Sequence, residues 1–148
     1  MNIEAQFWAL CDEADQHDTA GFQKLCDHRE SADSVEAEVR ACEQAMVKII
    51  DLVEKHPEHR STFVRCFCDL VLWKRKSPFL LVPFCMRRLR FPEIQDLILR
   101  DAAEHKGTEY YASHMNLWST INHAYSDEVW ENATSFQYYA NEVMHRKS

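Results

Sequence analysis

Residues 77–107 read SPFLLVPFCMRRLRFPEIQDLILRDAAEHKG, and this stretch decides the fold. Ser77 can cap a helix with Pro78 in its first turn, where the missing proline N–H has no helical partner to lose. Pro92 starts a second helix, because the residue before a proline is pushed out of the α region and Phe91 must end the first. Ile94, Leu97, Ile98 and Ala102 share one face of that second helix, and Gly107 closes it as a left-handed C-cap. Pro83 falls about one turn inside the first helix. It is expected to kink that helix or delay its start, leaving 78–82 as a loose turn and 83–90 as the firm helix. Both helices are apolar enough that neighbours must cover them.

The same pattern continues outward. Thr108 opens a helix with Tyr111, Met115, Trp118 and Tyr125 on one side. Ser126 opens a last segment carrying Val129, Trp130, Phe136, Tyr139 and Val143. Ser61 opens a helix that turns Phe63, Val64, Phe67, Leu70 and Val71 inward. The starts at 61 and 92, and at 77 and 108, are 31 residues apart, the spacing of stacked helical hairpins somewhat shorter than HEAT repeats. Upstream, Ser34 is expected to cap the longest helix, with Val35, Val39, Cys42, Met46, Ile49 and Val53 as its stripe and His56-Pro57 as its end. Residues 2–14 place Ile3, Phe7, Leu10 and Ala14 at helical spacing. Asp18 or Thr19 would cap a separate short helix bearing Phe22, Leu25 and Cys26. The expectation is one all-α domain over residues 1–148, about seven helices in an antiparallel, HEAT-like stack of helical hairpins.

Composition agrees. The chain has 148 residues, of which 46% are hydrophobic and 11% aromatic, so it can bury a core and does not read as disordered. Two glycines and four prolines are too few for an all-β protein rich in tight turns. The chain opens with no basic start and no apolar run of signal length, so its six cysteines are read as reduced core thiols of a cytoplasmic protein. The longest apolar run, Phe79 to Met86, is too short to span a bilayer.

The net charge of −7 is unevenly spread. Residues 1–59 hold 5 Lys and Arg against 14 Asp and Glu, giving −9; residues 60–100 hold 9 against 3, giving +6. An acidic protein is a poor general ligand for phosphate chains and a good one for a basic partner. Lys74-Arg75-Lys76 and Arg87-Arg88-Arg90 form a basic cluster. They fall at predicted helix C-termini, where cations suit the helix dipole, and read as paired or solvated rather than as direct nucleic-acid contacts.

No catalytic signature emerges, and no cofactor motif. His56 and His59 lack a third ligand, Glu142 and His145 make only one Glu-x-x-His, and Cys66-x-Cys68 on a helix points its thiols apart. There is no nucleophile elbow and no glycine-rich phosphate loop. Asn132-Ala133-Thr134 matches a glycosylation sequon that has no meaning without a secretory route. Acidic clusters remain as interface candidates. Asp127, Glu128 and Glu131 surround Trp130, the composition of an anchor for a basic protein, with Tyr110, Tyr138 and Tyr139 able to add to it. Asp12, Glu13, Asp15 and Asp18 form a second cluster near a predicted helix end.

The run Phe84 to Ile94, FCMRRLRFPEI, with Trp130-Glu131 and Tyr138-Tyr139 downstream, resembles a family of small all-helical bacterial proteins. Some of these are similar to immunity proteins of contact-dependent growth-inhibition and related polymorphic toxin systems. The resemblance covers roughly residues 60–140. It implies a cytoplasmic, non-catalytic protein that binds a cognate toxin domain, often a basic nuclease, and blocks its active site. The partner-binding residues expected are then Asp127, Glu128, Trp130 and Glu131, followed by Asp12, Glu13 and Asp15. A helical-repeat scaffold for another protein shares the same fold and interface physics. A metal-dependent hydrolase using His and Glu residues is the reading from a different class.

Overall fold

The computed structural model describes residues 2–127. Six α-helices follow in order: α1 (Ile3–Cys26), α2 (Ala32–Lys55), α3 (Arg60–Val71), α4 (Leu81–Leu89), α5 (Pro92–Glu104) and α6 (Glu109–Ala124). A single 3₁₀ turn, Pro57–His59, joins α2 to α3. No strand occurs among the described residues, so the chain is all-α. The helices pair as three hairpins. α1 packs along α2, and in the rest of the chain α3 packs on α5 and α4 on α6, as in a stack of hairpins.

Local chemistry sets most of the boundaries. Asn2 Oδ1 accepts from the Ala5 N–H at 2.7 Å, and Thr108 Oγ1 accepts from the Tyr111 N–H at 3.2 Å, each as an N-cap. Pro92 stands at the first turn of α5, as expected from the sequence. Gly107 is left-handed, with a φ of 83°, but it does not cap α5, which ends at Glu104 with His105 as its C-cap. Four further expectations are corrected. Ser31, rather than Ser34, caps α2, accepting from the Ser34 N–H at 3.1 Å. α3 begins at Arg60 from the 3₁₀ turn, without the Ser61 cap. α4 begins at Leu81, without the Ser77 cap. Pro83 thereby becomes its third residue, inside the first turn whose N–H groups have no intrahelical acceptor.

The fourth correction concerns α1. Asp18 and Thr19 do not start a new helix; α1 runs unbroken through them to Cys26. Asp12, Glu13, Asp15 and Asp18 therefore lie along the middle of a helix and not at its end. Gly21 lies close against α2, where an added Cβ would come within 3.3 Å of the Glu38 Cβ. Continuity through Gly21 is favoured because α2 lies alongside and its packing outweighs the low helix propensity of glycine.

The core is one cluster to which all six helices contribute. Phe7 lies 5.1 Å from Phe67 and 6.0 Å from Phe63, and Phe67 lies 6.0 Å from Phe91, so edge-to-face and tilted rings link α1, α3 and the α4–α5 corner. Leu81 through Arg87 are all buried, which makes α4 a helix covered on every side. The basic residues are largely committed to the fold. Arg87 and Arg90 both donate to the Ser126 carbonyl, at 2.7 and 3.3 Å, beyond the C-terminal end of α6. Arg88 pairs with Glu54, Arg65 with Glu4 and Arg60 with Glu93. All six cysteines are free thiols. No described helix is long and apolar enough to cross a membrane.

Phe67 is fully buried at the centre of this aromatic chain. Phe67→Ala should therefore lower the unfolding free energy by about 3–5 kcal/mol, the range for an aromatic side chain removed from a packed core. Urea denaturation checks this, and a loss below about 1 kcal/mol would show that the cluster is not the keystone of the core.

Candidate functional site

The C-terminal half of α1, the first part of α2 and the loop ahead of α4 enclose a groove of about 510 Å³. α1 supplies His17, Asp18, Gly21, Phe22 and Leu25; α2 supplies Val35, Val39, Cys42, Glu43 and Met46; the loop supplies Pro78, Phe79 and Leu80. Phe22 and Leu25 are each 68% exposed and Phe79 is 49% exposed. The sequence pattern had Phe22 and Leu25 on a separate short helix. Beyond Ala14 the only buried residue of α1 is Gly21, which faces α2, so this part of the helix leaves its apolar side chains in water beside the groove. Clustered large apolar groups left in water mark a binding surface more than a solvated one.

The groove is also negative. Glu43 lines it while remaining only 1% exposed. Asp18 is exposed as a residue, but partial desolvation of its carboxyl, followed by the charge of Asp15, raises that carboxyl above its ordinary value. Cys42 records the same field: burial first, then Asp18, Glu43 and Asp15, push its thiol up to about 12. Glu38 fastens the groove's two walls together. Its carboxylate lies 2.7 Å from His17 Nδ1 and accepts from Lys24 Nζ at 3.0 Å, and these two bonds hold it below the usual carboxylate range.

The sequence-predicted residues are distributed as follows. Asp15 sits one turn before Asp18 on α1, 3.8 Å from Lys76, while Glu13 turns to Lys48 at 3.6 Å and Asp12 is exposed. Asp127 is exposed and accepts from Arg90 Nη2 at 3.1 Å. Glu128, Trp130 and Glu131, like Glu142, His145, Tyr138, Tyr139 and the sequon, lie outside the described residues. Tyr110 is half-buried, and its hydroxyl donates to Asp101 Oδ2 at 2.7 Å. Its ring belongs to a different cluster from the groove.

That second cluster is a column of rings. Trp73 stacks on His114 with centroids 3.8 Å apart, His114 on Tyr110 at 4.0 Å, and Tyr110 lies 4.2 Å from His105. Trp73, like Arg90 at the α4–α5 corner, is a non-glycine residue with left-handed backbone. After α3, the Lys74 N–H bonds the Asp69 carbonyl at 2.9 Å and the Trp73 N–H bonds the Leu70 carbonyl at 3.1 Å. These are the two bonds of a Schellman motif, and they put Trp73 at the left-handed position normally filled by glycine. Its φ is 57°, which costs a residue with a Cβ about 1–2 kcal/mol. Sequence reasoning could not find this turn, because the segment Leu72 to Lys76 contains no glycine to signal it.

One trio among the described residues, Asp101, Glu104 and His105, has ligand atoms within 4.8 Å of one another. Its geometry already has another use. Asp101 accepts from Tyr110, and His105 Nδ1 lies 2.9 Å from the Asp101 carbonyl oxygen. The trio anchors the base of the ring column. His56 and His59 flank Glu58 on the surface, their rings 6.2 Å apart. No family model matches the chain, and no curated protein and no solved structure matches it.

The raised carboxyl of Asp18 carries a stability consequence. An acid whose pKa is raised by folding favours the folded state below its unfolded pKa and loses that contribution as pH rises through the folded value. At neutral pH ionised Asp18 therefore opposes folding. Asp18→Asn should stabilise the protein at pH 7 by up to about 0.5 kcal/mol, the scale of a solvent-screened charge, with no gain at pH 3. Thermal melts at the two pH values test this, and destabilisation at pH 7 would contradict it.

Proposed function

We propose that the chain is a cytoplasmic, non-catalytic inhibitor of the immunity-protein kind, which binds a basic toxin domain stoichiometrically through the α1–α2 groove. The observation that carries this reading is the joining, in one groove, of an apolar rim and an acidic wall. Phe22, Leu25 and Phe79 supply anchors of the type that dominate protein interfaces. Asp15, Asp18 and Glu43 supply a field complementary to a cationic partner, and the −9 charge of residues 1–59 extends it. A nuclease domain is a suitable partner because its own substrate requires a cationic surface. The reading keeps Asp15 and Asp18 from the second acidic cluster expected from the sequence and adds Phe22, Leu25, Glu43 and Phe79 to them.

An inhibitor of this kind accelerates encounter by charge and holds on by apolar contact, and the two are separable. The test starts from capture of an equimolar basic partner from the producing cells, one released at high salt and active only after release. With that partner, Asp15→Lys together with Asp18→Lys should lower the association rate at least tenfold at low salt and flatten its salt dependence. Phe22→Ala with Leu25→Ala should mainly speed dissociation. Binding unaltered in both pairs of variants would remove the groove as the interface, and capture of no basic partner would remove the inhibitor reading.

A further inference from the structure

A second cavity, of about 400 Å³, adjoins the groove and shares Pro78 and Phe79 with it. Its chemistry is opposite. The floor is apolar, from Leu70, Val82 and Leu117, Trp73 and Phe79 flank it, and Arg75, Lys76 and Ser77 line it as well. We propose that this cavity binds a planar aromatic anion of the nucleotide class, its ring stacked on the open face of Trp73 and its phosphate held by Arg75, Lys76 and Ser77.

Four observations converge on that ligand. Trp73 has one face stacked on His114 yet is 51% exposed, so the other face of the indole is presented to the cavity. The stacking surface is rigid. His114 is buried, its Nδ1 donates to the Tyr110 carbonyl at 2.9 Å, and Tyr110 is pinned to Asp101, so the column fixes Trp73 from behind. A preorganised ring loses little freedom when a second ring stacks on it.

The backbone supplies the third observation. A half-exposed side chain gains little from burial, and glycine would satisfy the Schellman turn without strain. Strained positions occupied against local preference cluster at functional sites, and here the strain aims an indole into a cavity. The fourth is the charge at the cavity. Lys76 is exposed, with its nearest carboxylate, on Asp15, 3.8 Å away. Arg75 lies with its guanidinium carbon 4.1 Å over the Trp8 ring, an arrangement that fixes the planar fork while its N–H edges remain donors. A protein partner of basic character is repelled from this cavity and drawn to the groove beside it, so the two sites are distinct in ligand. The paired-cation reading of Lys74 to Lys76 from sequence missed the tryptophan immediately before them.

The probes are AMP, adenosine, ribose 5-phosphate and an eight-nucleotide oligo(dA), titrated into the full chain by calorimetry and tryptophan fluorescence. AMP should bind one to one and quench emission. Adenosine should bind at least tenfold more weakly but still quench, and ribose 5-phosphate should not quench. Trp73→Gly should retain the helical spectrum, because glycine suits the turn, and lose AMP binding at least tenfold. Trp73→Phe should restore part of it, and Arg75→Ala with Lys76→Ala should weaken AMP while sparing adenosine. An oligo(dA) affinity no greater than that of AMP would identify a free nucleotide as the ligand, and one more than tenfold greater a strand. No binding of AMP or oligo(dA) at millimolar concentration, or AMP binding unchanged in Trp73→Gly, would overturn the proposal. Phe22→Ala with Leu25→Ala, whose side chains line only the groove, should leave AMP binding within twofold of the parent, which separates this test from that of the groove.

Discussion

A nine-residue helix with seven consecutive residues buried, Leu81 to Arg87, is the constraint on which the rest of this structure depends. Such a helix has no solvent face to offer, so it forms only when other helices enclose it. α2, α3 and α6 do so, and α5 follows α4 after only two residues. That short link is possible because Arg90 adopts a left-handed φ of 49° and Phe91 an extended conformation ahead of Pro92. Tyr125 then donates its hydroxyl to the Phe91 carbonyl and the Arg60 guanidinium covers the Phe91 ring, so the corner is held from α6 and α3 together. Arg87 is buried within this arrangement, but it is directed to the Ser126 carbonyl, where the end of α6 supplies partial negative charge.

α1 and α2 form the remaining hairpin, and the freedom of this fold to carry function lies there. Their apolar stripes close the core at Phe7, Cys11, Ala14, Cys42, Met46, Ile49 and Ile50. Beyond Ala14, α1 keeps going while the core it could cover does not. Phe22 and Leu25 are left beside the loop that precedes α4, and that loop carries Phe79 between two cavities of opposite charge. The same connection bears Trp73 at its start. The two proposed recognition surfaces thus converge on one segment, Trp73 to Leu80, whose path is dictated by the Schellman turn after α3 and the late start of α4.

Much of the fold was legible because its signals are local. Pro92, Thr108 and the His56-Pro57 break act through their own backbone chemistry and appear where expected. Ser77 and Ser61 failed as caps for a common reason: a serine is only permissive, and the N-terminal turns here were fixed by tertiary packing and by Pro83. The Asp18–Gly21 stretch looked like a boundary because glycine and short polar residues disfavour isolated helices, yet contact with α2 outweighed that preference. The site was less legible. Asp15 and Asp18 were visible as charge, but only the structure brings Glu43 across from α2 and shows Phe22 and Leu25 overhanging them. Trp73 gave no signal at all, since a tryptophan in a glycine turn is an exception to the rule by which such turns are read.

The central claim is that the α1–α2 groove is where this protein meets a basic protein partner. Hydrogen–deuterium exchange of the full chain, free and saturated with that partner, tests it most directly. The account predicts new protection concentrated in residues 15–26, 35–46 and 78–80, with the exposed side of α5 unchanged. Protection confined to α5 and α6, with the α1–α2 hairpin exchanging as in the free protein, would contradict it.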